Sequence, residues 1–200
     1  MAPNFIRKNK NMLPYAPKDF SHLLGLPGMS DELLNNHFTL YQGYVTNTNS
    51  LKELLAQEDL SLPAYNELKR RFGWEWNGMR LHELYFENLT KESSSASESV
   101  TAALTEGFGS YEAWEKDFLK TGALRGIGWV MLVKDRQTGA LYNVWINEHD
   151  LGHLADAQPL LVMDVFEHAF MLDYGIKRAD YINTFMKAID WSIVTKRLTD

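Results

Sequence analysis

The sequence predicts an α+β fold. Two long stretches with apolar residues at helical spacing fill the first half, three short strand-like runs gather in the second, and the strands do not alternate with the helices. Residues 1 to about 28 are proline-rich, carry Gly25 and Gly28 and show no sustained period, the pattern of an extended arm lying on the fold. Ser30 is placed to cap a first helix. Asp31 and Glu32 in its opening turn suit the positive end of the helix dipole, and its apolar stripe runs Leu33, Leu34, His37, Phe38, Tyr41, Tyr44 and Val45. A second long helix starts near Ser61 and Pro63, with Tyr65, Leu68, Phe72, Trp76, Met79, His82, Phe86 and Leu89 three or four apart. A short turn between the two makes an antiparallel hairpin, which brings a residue early in the first helix near one late in the second. His37 and His82 are therefore expected to meet.

Glu92 to Ser99 has the composition of a flexible connection, and it divides the chain into an arm-and-hairpin domain, 1–92, and an α/β domain with a small antiparallel sheet, 93–200. Two short helices follow, about 99–107 and, with Ser110 as cap, about 111–124. Gly126-Ile127-Gly128 breaks the period before Trp129 to Val133, a strand that turns through Arg136-Gln137-Thr138-Gly139 into Leu141 to Ile146. Leu160 to Val165 reads as a third, buried strand. Helical spacing returns at Phe166 and again from Asp180 to Phe185.

Composition narrows the function. Of 200 residues, 45% are hydrophobic and 12% aromatic, enough for a substantial core in a chain that hides roughly 70% of its unfolded surface, so most of it is ordered. The formal charge of −6 and the absence of any basic run longer than Lys69-Arg70-Arg71 argue against nucleic acid and anionic membrane surfaces as partners. No apolar stretch approaches the roughly 18 residues of a membrane helix, and the first ten residues lack a hydrophobic signal core, so a cytoplasmic protein is expected. There is no cysteine, which removes disulfides, thiolate metal sites and thiol nucleophiles together. Any bound metal rests on His, Asp or Glu.

The histidines are His22, His37, His82, His149, His153 and His168. His168 follows Asp164 by four residues, where a strand gives way to a helix, so both side chains can point into the junction between the halves. With His37 and His82 this makes three imidazoles and one carboxylate, a set that suits a mononuclear Fe, Mn or Zn ion. Each residue alone has an ordinary explanation: a single histidine on an apolar stripe is usually a satisfied core residue, and Asp and His four apart are a frequent helical pair.

The local sequences carry a resemblance. Asp164-Val165-Phe166-Glu167-His168-Ala169 resembles the Asp-x-Trp-Glu-His-Ala signature of the iron/manganese superoxide dismutase family, with Phe166 where that family usually has Trp. His82-Glu83-Leu84-Tyr85-Phe86-Glu87-Asn88-Leu89 is similar to its His-x-x-Phe-Trp-x-x-Leu segment. Phe108-Gly109-Ser110-Tyr111, Gly126-Ile127-Gly128-Trp129, Arg178-Ala179-Asp180-Tyr181, Asp190-Trp191 and Leu13-Pro14-Tyr15 also match, so the resemblance runs in order over nearly the whole chain. It implies a long helical hairpin followed by a helix-flanked three-stranded antiparallel sheet. The activity it implies is the disproportionation of superoxide to dioxygen and hydrogen peroxide at one Fe or Mn ion per subunit.

Position by position, the resemblance implies His37, His82, Asp164 and His168 as ligands. In the family the first ligand usually lies eight residues before a tyrosine, which here would be Asn36 before Tyr44. His37 is preferred, because imidazole is the better ligand and a separation of seven is two helical turns, placing His37 and Tyr44 on one face. The family's gateway histidine and tyrosine correspond to Tyr41 and Phe170. The site's amide, supplied in relatives from one of two places, corresponds to Gly78 and His149, a pattern that leaves Fe and Mn unresolved. Glu167 is expected to bond the last ligand of a second subunit, implying a homodimer joined through the Glu167-His168 region and a fixed imidazole tautomer. Trp129 and Phe166 would wall the metal, and Tyr44 with His149 would hold bound solvent and relay protons. His22 and His153 match nothing in the pattern. The competing expectations are a structural or interaction protein of the same fold with an idle or absent metal, and a different iron chemistry on the same ligands.

Overall fold

The computed structural model describes residues 13–92 and 94–200, so the first twelve residues of the expected arm lie outside the described residues. Residues 14–20 have no regular structure and run along the hairpin, tied to it where Tyr15 exchanges two hydrogen bonds, at 2.8 and 2.9 Å, with the side chain of Asn49. Helix α1 spans Asp31–Leu55 without interruption, and the Ser30 hydroxyl accepts from the Leu33 N–H at its start. Helix α2 spans Leu62–Glu87 with Pro63 in its first turn, where a missing N–H costs nothing. The two pack antiparallel. Buried Leu33, Leu34, His37, Tyr41 and Val45 of α1 face Met79, His82 and Phe86 of α2. Tyr65 was expected on that apolar stripe but is exposed, because the sheet covers only the end of the hairpin that carries His82.

Helices α3 (Glu98–Phe108) and α4 (Tyr111–Gly122) start on the side chains of Ser97 and Ser110. Strands β1 (Gly128–Asp135), β2 (Leu141–Asn147) and β3 (Ala157–Asp164) form one antiparallel sheet in the order β2-β1-β3. Gly128 stands at φ +143, and a Cβ there would lie 1.9 Å from the Ile146 carbonyl oxygen, so only glycine allows β1 to begin here. The register sets Trp129 opposite Asp164. Helix α2 packs on β3, which buries the inner face of the sheet against the hairpin.

Beyond β3 the chain departs from the expected helix. Phe166 is extended, a 3-10 turn covers Glu167–Ala169, and only then come the short α5 (Met171–Tyr174) and α6 (Arg178–Lys187). The Asp164 carboxylate accepts from the Phe166 N–H at 2.8 Å, an Asx-type bond that competes with helix initiation. A last helix, α7 (Trp191–Thr199), capped by Asp190, has no counterpart in the sequence reading. Ser94 and Ser97 in the serine-rich stretch are structural: the Ser94 hydroxyl donates to the Ile189 carbonyl at 2.6 Å, and Ser97 caps α3.

Asn88, wholly buried just after α2, joins these parts. Its Oδ1 accepts from the Val162 N–H of β3 at 2.9 Å and from Arg197 of α7 at 3.2 Å, and its carbonyl accepts from the Asp190 N–H at 2.7 Å. Replacing Asn88 by Ala strands a buried strand N–H, and the expected loss is about 1–3 kcal/mol of unfolding free energy, read as a lower urea midpoint at unchanged m value.

Candidate metal centre

Four side chains from three parts of the chain converge at the junction of hairpin and sheet. His37 lies two turns into α1, His82 a turn and a half before the end of α2, Asp164 ends β3, and His168 sits on the following 3-10 turn. One nitrogen or oxygen from each lies within 4.8 Å of all the others. The Nε2 atoms of His37, His168 and His82 lie 3.2, 3.2 and 3.8 Å from the same Asp164 oxygen, Oδ2. Oδ1 is occupied by the Phe166 N–H, so the carboxylate has one oxygen for the backbone and one for the imidazoles. Asn36 is exposed, whereas His37 is buried and faces the cluster.

The histidines are oriented from behind. His82 Nδ1 donates to the Gly78 carbonyl at 2.6 Å, so its proton resides there and Nε2 presents a lone pair to the cluster. That Nε2 is buried and has no hydrogen-bond partner among the described residues. A buried, unpaired lone pair beside two further imidazoles and a carboxylate is the donor set of a borderline cation, and these residues fit an iron or manganese ion. Burial holds His82 well below the ordinary imidazole range and lowers His37, with Asp164 only partly opposing the shift. Burial alone would raise Asp164, but the facing His168 and His37 outweigh it and hold the carboxyl well below the usual range. Neutral imidazoles around an ionised carboxylate are the protonation state a cation requires.

Around the cluster stands a nearly closed aromatic wall. The Trp129 ring lies 5.0 Å from His82, and Phe166 stacks at 5.2 Å on His168 and at 4.8 Å on His149. Tyr44, half-buried, places its ring 5.0 Å from His82 and its hydroxyl 2.8 Å from His149 Nε2. Gly78 is the reason Tyr44 fits, since a Cβ at 78 would lie 2.6 Å from the Tyr44 ring. No side chain can therefore be supplied from position 78 while Tyr44 holds its place. Burial pushes the Tyr44 phenol well above its ordinary value, with the Asp164 carboxylate adding to the shift, so it is protonated at neutral pH.

Other residues singled out by sequence lie around the cluster or at the surface. Tyr41 is buried with its ring stacked 6.4 Å from that of His82, while its hydroxyl donates to Glu83 at 2.9 Å and accepts from the Lys18 N–H at 2.9 Å, and burial pushes it up to about 12. Phe170 is buried and stacks on Tyr181 at 5.5 Å. Glu167 is exposed, next to His168, whose side chain is 24% exposed. His22 is exposed. His153 is exposed too, and its Nε2 donates to the His149 carbonyl at 2.9 Å.

Two contributors escaped the sequence reading. The Trp74 ring meets His149 edge-on at 4.4 Å, and its N–H donates to Glu148 at 3.0 Å. Its spacing, four before Gly78 and eight before His82, was the available signal for a shared helix face. The Tyr181 hydroxyl donates to the Asp164 carbonyl at 2.6 Å and lies 3.2 Å from the Tyr85 hydroxyl, a link that no local spacing reveals.

The chain is similar to known proteins over most of its length. The family model for the C-terminal domain of iron/manganese superoxide dismutases matches residues 96–197. A manganese superoxide dismutase of Haloferax volcanii is 35% identical over 169 residues, covering 82% of this chain and 84% of that protein. An iron superoxide dismutase of Cupriavidus metallidurans is 35% identical over 179 residues, covering 86% and 89%. One of Aquifex pyrophilus is 34% identical over 191 residues, covering 90% and 89%.

His149 carries a pH signature. Burial lowers it from 6.5 to about 4 despite the opposing charge of Asp164. As pH falls the unfolded chain takes up this proton first, so the contribution is fully present above about 6.5 and is lost toward about 4. In the metal-free protein, unfolding free energy should fall more steeply below about pH 6.5 in the wild type than in His149→Gln. The slopes should differ by up to one proton, about 1.4 kcal/mol per pH unit, in urea titrations across the range. Equal slopes would mean that His149 charges freely in the folded state.

Proposed function

The chain belongs to the iron/manganese superoxide dismutase family, and from that premise we propose that His37, His82, Asp164 and His168 hold its one Fe or Mn ion. The activity is the metal-dependent disproportionation of superoxide into dioxygen and hydrogen peroxide. The single observation that carries the site assignment is the buried, unpartnered His82 Nε2 facing Asp164 and two more imidazoles. A structural role with an idle site would leave that lone pair uncompensated, which costs stability and which loss of the donor would relieve. The relatives include iron and manganese enzymes, and either ion suits three nitrogens and one carboxylate.

When bound, the ion supplies the one-electron couple that oxidises one superoxide and reduces another. The chain's own residues do the rest. Three neutral imidazoles and one carboxylate carry a single negative charge toward the cation, and Trp129 and Phe166 keep bulk water from it. Tyr44 lies at the edge of the cluster with a protonated phenol, in place to hydrogen-bond a small anion. The overall charge of −6 opposes such an anion, so an exposed cation near Tyr44 matters for its approach. Arg71 stacks over Trp74 at 3.7 Å with 52% of its side chain exposed, and its guanidinium acts on both Tyr44 and His149, where it offsets part of the negative charge of Asp164, Glu75 and Glu148.

The assembly we propose is a cytoplasmic homodimer. It is supported by the exposed Glu167 carboxylate beside the partly open His168, and by the exposed apolar side chains of Met171, Leu172 and Ile176 just beyond. No helix among the described residues is long and apolar enough to cross a membrane.

Elemental analysis of the purified protein, with its mass in solution, tests these assignments together. About one iron or manganese per chain, superoxide disproportionation and twice the chain mass are expected. His168→Gln should lose both metal and activity; activity persisting after full metal loss would overturn the assignment. Arg71→Gln should lower the second-order rate with superoxide several-fold at low ionic strength, and the difference should shrink as salt screens it. A salt-independent difference would mean that Arg71 acts through packing on Trp74.

A further inference from the structure

The hydrogen-bond inventory at the edge of the cluster separates three residues that composition leaves interchangeable. An indole N–H only donates, and Trp129 Nε1 lies 3.0 Å from His149 Nδ1. Nδ1 must therefore offer its lone pair, and the neutral ring carries its proton on Nε2. That single N–H is directed at the Tyr44 hydroxyl oxygen, 2.8 Å away. The ring cannot turn over to change the pairing: Trp74 at 4.4 Å, Phe166 at 4.8 Å and Tyr44 at 4.9 Å surround it. Its backbone is held as well, with Glu148 at φ +49 and bonded to the Trp74 N–H, and with the His149 carbonyl accepting from His153.

With one N–H already spent on Tyr44, His149 has no donor left for anything at the cluster. The Tyr44 hydroxyl accepts from His149, and its own O–H has no other acceptor among the described residues. Position 78 supplies no substitute, because the Tyr44 ring fills the space a side chain there would need. We infer that Tyr44 is the sole hydrogen-bond donor of this row toward an anion or solvent oxygen at the cluster, and that His149 and Trp129 are positioning residues acting through it. His149 does not relay protons. To take one at Nδ1 it would have to expel the Trp129 N–H, and two donors would then face each other across 3.0 Å. A proton consumed at Tyr44 is thus replaced from solvent, not through the ring behind it.

This inference rests on the metal-site reading above, but its first test does not need the metal. In the metal-free full-length protein labelled with nitrogen-15 histidine, long-range proton–nitrogen correlation at neutral pH should show His149 with Nε2 protonated and Nδ1 unprotonated, the resonances being assigned by their loss in His149→Gln. Trp129→Phe should shift both nitrogens toward averaged tautomer values, whereas Tyr44→Phe should leave Nδ1 unprotonated. A protonated Nδ1 in the wild type would overturn the proposal without touching the metal assignment, which metal counting reads separately. The second test titrates azide, a small anion, into metal-loaded protein and follows its absorption spectrum. Tyr44→Phe should weaken azide binding about tenfold. His149→Gln, whose amide can accept from Trp129 and still donate twice, should bind azide at least as tightly as the wild type. Unchanged azide affinity in Tyr44→Phe, or a loss in His149→Gln as large as that expected for Tyr44→Phe, would overturn the division of roles.

Discussion

A fully buried carboxylate is expensive, and the interior of this protein is organised around making one affordable. Asp164 is completely screened from solvent, yet it stays ionised because a backbone N–H holds one oxygen and histidines face the other. That requirement links the major parts of the fold. Helix α1 must deliver His37, α2 must deliver His82, and β3 must end where Asp164 turns inward. The chain must then make a tight 3-10 turn instead of a helix, so that His168 returns to the same point. Removing any of these elements leaves a buried charge or a buried lone pair without a partner.

The second layer works by assigning donors and acceptors in one direction. The Gly78 carbonyl settles the tautomer of His82, the Trp129 indole settles that of His149, and the Tyr181 hydroxyl engages the Asp164 carbonyl. A metal centre needs such arrangements because an imidazole with its proton on the wrong nitrogen is no ligand. Two positions that seem unrelated in the chain are coupled here. Glycine at 78 makes room for the Tyr44 ring, and histidine at 149 reaches the Tyr44 hydroxyl, so loss of a side chain at one place and choice of side chain at the other describe a single packing solution.

Much of this was legible in the chain itself. The helical periods of α1 and α2, their serine and proline starts, and the short turn between them already implied that His37 and His82 would meet. The Asp164…His168 spacing was equally plain, as was the strand hairpin with its glycine break. Legibility failed where contacts join distant segments. The chain after Asp164 reads as helical by spacing, but a side-chain bond to Phe166 overrides that tendency. Tyr41 reads as a member of the site's stripe and its ring does stack near His82, but its hydroxyl is bonded to Glu83 and to the Lys18 N–H of the arm, partners that no local spacing reveals. Trp74 lies on the same helical face as Gly78 and His82 but was hidden among other aromatics at similar spacing.

Periodicity and residue chemistry alone therefore establish the α+β class, the hairpin and the set of three imidazoles and one carboxylate, because helix and strand faces follow from local geometry and few residue types can bind a metal. Packing in three dimensions decides the rest. It brings His37 rather than Asn36 to the cluster, sets His149 between the Trp129 indole and the Tyr44 hydroxyl, and lays Arg71 over Trp74. Those outcomes depend on where a proton or a charge sits relative to groups on other elements. Hydrogen bonds and Coulomb forces act across space, and the order of residues along the chain does not record those distances.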